Sequence, residues 1–199
     1  MMRPNLAQDA PPTALTVGGV SYSINVDFRV WIDVMHEMRD LITAPKTIEH
    51  AQHNVELVGK IEQLVFGKIV EAEPLEVLAR ITEFCAGYPD TPYQGGDATE
   101  NAQTYSFDYD LNNIIIAIMN QFHIDLTYRR KKPFHWWEFL AYFRALAGNH
   151  YILRLMEIRG YTGKDTELKK QARRYTLPRE NNAEDRAMLD EFDALFYNA

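Results

Sequence analysis

Apolar residues recur at helical spacing in the middle of the chain, over residues 106–146. In the first half, one stripe and the residues that widen it are Leu111, Ile115, Ile118, Phe122, Ile114, Ile116 and Met119. A helix that is apolar around most of its circumference is usually buried. The second half has two aromatic-rich rows, Trp136, Leu140, Phe143 and Phe139, Tyr142, Leu146. The pattern predicts two helices joined by about ten residues and packed as an antiparallel pair at the centre of the domain.

A short β-hairpin is predicted near the start, over residues 15–24. Gly18 and Gly19 lie between alternating apolar residues. A two-residue hairpin turn needs positive φ at both central positions, which glycine adopts readily. A lone hairpin is only marginally stable in water, so we expect this one to pack against helices.

Five further helices are predicted around the central pair. The first follows an Asn25 cap and runs to about residue 40. The second covers about 47–70, and its predicted inner stripe is Ala51, Val55, Val58, Ile61 and Val65. Pro74 and Gly87 bound the third. The last two cover about 151–159 and 164–175. Residues 88–105 lack periodicity and are interpreted as a loop.

Beyond Pro178, acidic residues alternate with apolar ones. The apolar positions recur at helical spacing and are Met188, Leu189, Phe192, Leu195 and Phe196. This pattern predicts an amphipathic helix with an acidic outer face over 179–199, after a helical domain over 1–178. The predicted fold class is therefore mainly α: a bundle-like single domain with a small N-terminal β-hairpin and a C-terminal amphipathic helix.

Charge and composition narrow the functional classes. The formal net charge is −7 and the pI is about 5.4, which argues against nucleic acid or an anionic membrane as a partner. No apolar run reaches membrane-spanning length and no signal-peptide pattern is present, so we expect a soluble cytoplasmic protein. The single cysteine, Cys85, lies in an apolar helical segment and is interpreted as a buried thiol rather than a nucleophile.

Two groups of residues were weighed as chemical sites. His50 and His53 have a spacing that can hold a metal, but no third ligand is placed, so solvated histidines are favoured. A carboxylate–imidazole site could be drawn from Asp108, Asp110, His123, Asp125 and His135. Helix capping and turns explain the same residues, and that interpretation is favoured. With no glycine-rich phosphate loop and no nucleophile elbow, we predict no enzyme, no metal and no cofactor.

Two basic clusters remain as candidate contact surfaces. Residues 129–132 precede Pro133 and form either a contact for an acidic partner or a solvated interhelical loop. A second cluster consists of Lys169, Lys170, Arg173 and Arg174. The acidic tail could fold back onto either cluster or dock on another protein. Trp136 and Trp137 are assigned to core packing rather than to a stacking platform. The candidate partner-binding residues are Arg129, Arg130, Lys131, Lys132, Met188, Leu189, Phe192, Leu195 and Phe196.

Several motifs resemble a known family. They are Gly-Val-Ser-Tyr-Ser-Ile-Asn-Val-Asp-Phe-Arg-Val-Trp at 19–31, Phe-Asp-Tyr-Asp at 107–110, Phe-His-Ile-Asp-Leu-Thr at 122–127, His-Trp-Trp-Glu-Phe at 135–139 and Ile-Arg-Gly-Tyr at 158–161. In this order, over about residues 15–178, the chain resembles the phage gene product fifteen family of long-tailed phages and prophages.

The resemblance implies a non-enzymatic tail-module protein in the host bacterial cytoplasm. Its implied role is that of a tail assembly chaperone that binds the tape-measure protein and keeps it soluble until the tail tube forms. Its implied partners are the tape-measure protein and other tail proteins, with a homo-oligomer as a further possibility. The alternative is a structural minor tail protein, incorporated into the virion as an adaptor. The tail helix is interpreted as a displaceable or self-associating element.

Overall fold

The computed structural model describes residues 10–44, 51–88 and 104–178. Within these ranges the fold is mainly α with one two-stranded antiparallel sheet, as predicted. The elements are β1 (Ala14–Val17), β2 (Val20–Ser23), α1 (Phe28–Thr43), α2 (Ala51–Phe66), α3 (Pro74–Cys85), α4 (Phe107–Phe122), α5 (Trp136–Arg144), α6 (Tyr151–Arg159) and α7 (Thr166–Arg174). The predicted helix after Pro178 and its five apolar residues lie outside the described residues.

The hairpin has the predicted turn and rests on helices. Gly18 and Gly19 have φ of 56° and 77°, and Val17 pairs with Val20 across the turn. The Gly18 N–H donates to the Glu76 side chain of α3 at 2.9 Å. The hairpin is therefore anchored at its tip, which compensates for the low stability of two strands alone.

The start of α1 differs from the prediction. Asp27, rather than Asn25, is the N-cap, and its carboxylate accepts from the Arg29 N–H at 3.0 Å. Asn25 instead accepts from the Asp27 N–H, so the two polar side chains form consecutive turns. Two backbone hydrogen bonds connect residues 26–28 to the start of α5. The Phe28 N–H donates to the Phe134 carbonyl, and the Trp136 N–H donates to the Val26 carbonyl. This long-range pairing selects Asp27 as the cap.

The predicted inner stripe of α2 is correct only in its second half. Ala51 and Val55 are exposed, whereas Ile61 and Val65 are buried together with Leu57 and Glu62. The carboxylate of Glu62 accepts from the Val70 N–H at 2.9 Å, which satisfies a donor in the connection after the helix. The buried face of α2 therefore includes a hydrogen-bonded carboxylate, which the purely apolar stripe does not.

The central helices α4 and α5 lie in the core, where their buried side chains pack together. Phe107, at the start of α4, contacts Trp136 at the start of α5, with ring centroids 5.9 Å apart. At the other end, Phe122 contacts Tyr142, and Gln121 donates to the Ala145 carbonyl. Tyr105, just before α4, also contacts Phe143 near the end of α5, with ring centroids 4.8 Å apart. The start of α4 thus meets one face of α5 and the end of α4 meets another, so these contacts do not give the two helices a single relative direction, and the antiparallel packing stays a prediction.

Tryptophan side chains join the core to backbone carbonyls. Trp31 and Trp136 are fully buried and Trp137 is nearly so, which confirms the core assignment. Trp136 and Trp137 donate their indole N–H groups to the carbonyls of Cys85 and Phe84, each at 2.8 Å. Those carbonyls lie in the last turn of α3, where the regular helical donors end, and the Phe84 carbonyl also accepts from the Gly87 N–H at 3.1 Å. The aromatic pair therefore caps α3 while it packs.

Cys85 is buried, as predicted, and burial raises the pKa of its thiol. None of the helices in the described ranges is long and apolar enough to cross a membrane.

Candidate functional site

The two carboxylates at the start of α4 have different partners. Asp110 is buried and accepts from Arg159 at 2.6 and 3.1 Å and from the Ser106 N–H at 3.0 Å. Asp108 lies on the other side, with one oxygen 2.6 Å from Nε2 of His36 on α1. Ser106 supplies the N-cap oxygen of α4. Asp110 is therefore one half of a buried ion pair, which sequence spacing did not indicate.

His135 is a helix cap. Its Nδ1 accepts from the Trp137 N–H at 3.0 Å, and its Nε2 lies 3.0 Å from the Pro12 carbonyl. These contacts assign the proton to Nε2, because Nδ1 has to accept. Burial lowers the pKa of His135, and the Pro12 carbonyl and the Glu138 charge only partly oppose this effect. A neutral imidazole is thus part of the fold.

Asp125 and His123 belong to the connection after α4. His123 ends the helix in the left-handed conformation, with φ of 58°. The Asp125 carboxylate accepts from the backbone and the hydroxyl of Thr127 at 2.9 and 2.7 Å, and these hydrogen bonds lower the pKa of Asp125. The five residues weighed as an acid–base site therefore have separate structural contacts and do not converge.

The two histidines that have the spacing of metal ligands are only partly described. His53 is exposed on α2, and His50 lies outside the described residues. Across the ranges that the structure covers, no group of three or more His, Cys, Asp or Glu side chains could hold a metal ion.

Residues 127–132, here called the basic loop, are held in one conformation by hydrogen bonds. The Arg130 N–H donates to the Thr127 carbonyl at 3.0 Å. Arg29 of α1 reaches the same Thr127 carbonyl at 3.5 Å and the Arg130 carbonyl at 3.4 Å. The guanidinium of Arg29 therefore links the loop to the first helix through two long hydrogen bonds.

The basic loop separates into outer and inner side chains. Arg129, Lys131 and Lys132 are exposed, and Tyr128 is 86% exposed. Arg130 is half-buried, with its guanidinium 5.1 Å from the centroid of the Phe134 ring. Three of the four predicted cations are thus available to a partner, while Arg130 also packs. Tyr128 was not predicted as a contact residue. Its position as an aromatic residue directly before a basic run is the sequence signal that could have identified it.

A second surface lies between α6 and α7 and is here called the α6–α7 groove. It encloses about 310 Å³ and is lined by Tyr151, Arg154, Leu155, Ile158, Gln171, Arg174 and Tyr175. Leu155 is buried, and Ile158 and Tyr175 are half-buried, so these three give the groove its apolar lining. Arg154 and Arg174 are exposed at its sides. The groove combines an apolar interior with positive edges.

Arg159 fixes one wall of this groove. Besides the two bonds to Asp110, its guanidinium donates to the Tyr175 carbonyl at 2.9 Å and to the Thr104 carbonyl at 3.0 Å. It therefore connects α4 to the end of α7. The second predicted basic cluster lies on the exposed surface of α7 beside the groove: Lys169, Lys170, Arg173 and Arg174.

Comparison with known proteins gives one family. A family model described as "Bacteriophage Gp15 protein" matches residues 8–181, which is most of the chain. No curated protein and no solved structure matches.

Proposed function

This chain belongs to the bacteriophage Gp15 family, and from that premise we propose that it is a tail assembly chaperone. In this proposal it binds the tape-measure protein in the host bacterial cytoplasm and keeps it soluble before the tail tube polymerises. The family indicates a structural, tail-related phage protein. The chaperone role, the tape-measure partner and the cytoplasmic location are our proposal.

A tape-measure protein is a very long helical chain with exposed apolar stripes. Keeping such a chain soluble requires many weak and reversible contacts, because a single tight site would leave the remaining stripes uncovered. A suitable chaperone surface offers aromatic side chains for apolar contact and charges that steer the encounter. It needs no reacting group, and this agrees with the separate structural contacts of the five acid–base candidates.

The observation that carries the proposal is the composition and support of the basic loop. Tyr128 and Arg129 project from a backbone that Arg29 holds in place. Tyrosine and arginine are the side chains that most often dominate the energy of protein–protein contacts. A loop that is already fixed loses little conformational entropy when a partner binds. The loop is thus suited to repeated contacts with a protein chain.

Coexpression with the tape-measure protein of the same phage tests the proposal. We expect the wild-type chain to raise the soluble fraction of that protein, and the Tyr128→Ala/Arg129→Ala/Lys132→Ala variant to lose most of this gain. A matched control is Tyr109→Ala/Lys164→Ala, which removes an exposed tyrosine and a lysine elsewhere. Equal solubility with and without the wild-type chain would reject the chaperone function.

The alternative is a structural adaptor, and the protein composition of the finished particle distinguishes it from a chaperone. A chaperone is absent from purified virions, whereas an adaptor is present in a fixed ratio to the tail proteins. Quantitative mass spectrometry of purified particles distinguishes the two.

Deleting residues 180–199 in the coexpression assay tests the tail segment, and unchanged solubility and oligomeric state would remove that segment from the mechanism.

A further inference from the structure

We propose that the α6–α7 groove binds the acidic C-terminal segment of the same chain, residues 180–197. The apolar side chains of that segment enter the groove, and its carboxylates lie against the arginines at the edges. This inference concerns the chain by itself, so it goes beyond the chaperone proposal and does not depend on it.

The groove has the chemistry of a site for an acidic amphipathic helix. Its interior is formed by Leu155, Ile158 and the ring of Tyr175. Among the described residues, no carboxylate pairs with Arg154 or Arg174, and the guanidinium of Arg174 lies 5.8 Å from the Tyr175 ring centroid. Exposed cations beside an apolar lining favour a partner that brings both apolar side chains and negative charge.

The C-terminal segment has the complementary pattern. Between residues 180 and 197 the sequence has six acidic residues and one basic residue, Arg186. Its apolar positions follow one another by one, three or four residues, so a helix would place them on one face: Met188, Leu189, Phe192, Leu195 and Phe196. A helix of this kind inserted into a groove is a recurring mode of peptide recognition.

The residues that connect α7 to the C-terminal segment are few, but they are enough for the segment to reach the groove. Tyr175 lines the groove and Pro178 follows three positions later. The residues from 179 to 187 can span up to about 30 Å when extended, whereas α7 is only about 13 Å long. The segment can therefore double back without strain. A short tether gives an effective concentration of about millimolar, which favours this segment over a second copy at ordinary protein concentrations.

The position of the segment relative to the family supports an intramolecular role. The family match ends at residue 181, so the apolar residues from Met188 to Phe196 lie beyond it. The groove, in contrast, lies inside the match. The segment thus follows directly after the surface that its chemistry fits.

Hydrogen–deuterium exchange on the full chain tests the proposal. We expect amides of residues 185–196 to exchange at least about tenfold more slowly than in an unstructured peptide. The Arg154→Glu/Arg174→Glu variant should lose this protection, because it places negative charge at both edges. The matched control, Lys131→Glu/Lys132→Glu, makes the same charge change on the basic loop, and residues 185–196 should stay protected in it. Equal exchange in the wild type and the groove variant would overturn the proposal.

A second variant guards against a folding defect. Leu189→Asp/Phe192→Asp changes only the tail segment, and it should lose the same protection while the thermal unfolding of the rest is retained. Retained protection in this variant would count against insertion of these side chains.

Cross-linking decides between the segment of the same chain and that of a second copy. A carbodiimide can join tail carboxylates to Lys169 or Lys170, which are exposed beside the groove. In a mixture of ¹⁴N- and ¹⁵N-labelled full chains we expect cross-linked peptide pairs of a single isotope. Pairs of mixed isotope would identify a second copy as the occupant and overturn the intramolecular assignment, as would the absence of these cross-links.

Discussion

Arg159 holds Asp110 through both carboxylate oxygens, at 2.6 and 3.1 Å, although the two residues lie 49 positions apart. Their side chains are only 9% and 2% exposed. The pair joins α6 to the first turn of α4, and the other donors of Arg159 reach Thr104 and Tyr175. One buried guanidinium therefore sets the relative position of three elements.

Removing Arg159 should destabilise the fold strongly. Arg159→Ala leaves the Asp110 carboxylate buried without its cation, and we expect a loss of about 3–5 kcal/mol in the free energy of unfolding. Urea unfolding followed by circular dichroism measures it. Lys170→Ala, which breaks an exposed pair with Glu167, is the control and should have a much smaller effect. Similar losses in the free energy of unfolding of the two variants would contradict the claim that the Arg159–Asp110 pair matters because it is buried.

The stability should fall in mild acid through His135. Its folded pKa lies below the unfolded value of about 6.5, so the unfolded chain binds more protons and stability decreases as the pH falls below about 6.5. His135→Asn keeps a capping acceptor and does not titrate. We expect the wild type to lose more stability than His135→Asn between about pH 7 and about pH 5, measured by urea unfolding. Parallel losses would exclude His135 as the titrating group.

The indole of Trp136 should contribute both packing and a hydrogen bond. Trp136→Phe removes the donor to the Cys85 carbonyl and leaves part of a cavity, and we expect a loss of about 2–4 kcal/mol. Tyr151→Phe, an exposed aromatic position on α6, is the comparison and should be nearly neutral. Guanidinium unfolding measures both. A loss below about 1 kcal/mol for Trp136→Phe would show that the carbonyl finds another donor.

Two glycines with positive φ should respond differently to a methyl group. Gly67 has φ of 69° and open space around it, so Gly67→Ala should cost only the backbone strain, about 1–2 kcal/mol. Gly87 has φ of 77°, and a Cβ there would lie 2.8 Å from the Leu140 side chain. We expect Gly87→Ala to lose about 1–3 kcal/mol more, because the buried Leu140 side chain must also change its conformation. Thermal unfolding of the two variants measures the difference in stability between them. Equal losses would mean that the Leu140 side chain makes room for the methyl group at no cost.

Elements with local signals were predictable from the sequence. Gly18 and Gly19 indicated the hairpin because both can adopt the positive φ of a tight two-residue turn without steric cost. Pro74 and Gly87 indicated the limits of α3 because each acts within one helical turn. Apolar spacing likewise placed α6, and α7 was predicted as a polar, basic helix that ends before Pro178. These features depend on neighbours in the chain, so one sequence contains the information.

Features set by distant residues were not predictable. The choice of Asp27 as cap depends on pairing with the segment at 134–136, and the partner of Asp110 lies on α6. The way in which the faces of α4 and α5 meet depends on contacts between distant residues, such as Tyr105 with Phe143. Periodicity identifies which helices have apolar faces, but it does not fix the direction in which two such faces meet.

The candidate surfaces show the same division. The charge run identified the basic loop, but it gave no reason to separate Arg130, which packs on Phe134, from its exposed neighbours. The cations of α7 were visible in the sequence as well. Their apolar complement was not, because Leu155 and Tyr175 come together only when α6 and α7 are placed side by side.

The backbone pairing between the segments at 26–28 and 134–136 has a consequence for biosynthesis. The N-terminal end of α1 receives these hydrogen bonds only from residues made about a hundred codons later. At about 5–20 residues per second, the ribosome needs about 5–20 seconds to supply them. During that interval the nascent helix exposes Phe28 and Trp31, which are fully covered in the finished molecule. The apolar start of α1 therefore completes its packing only after about two thirds of the chain has been made.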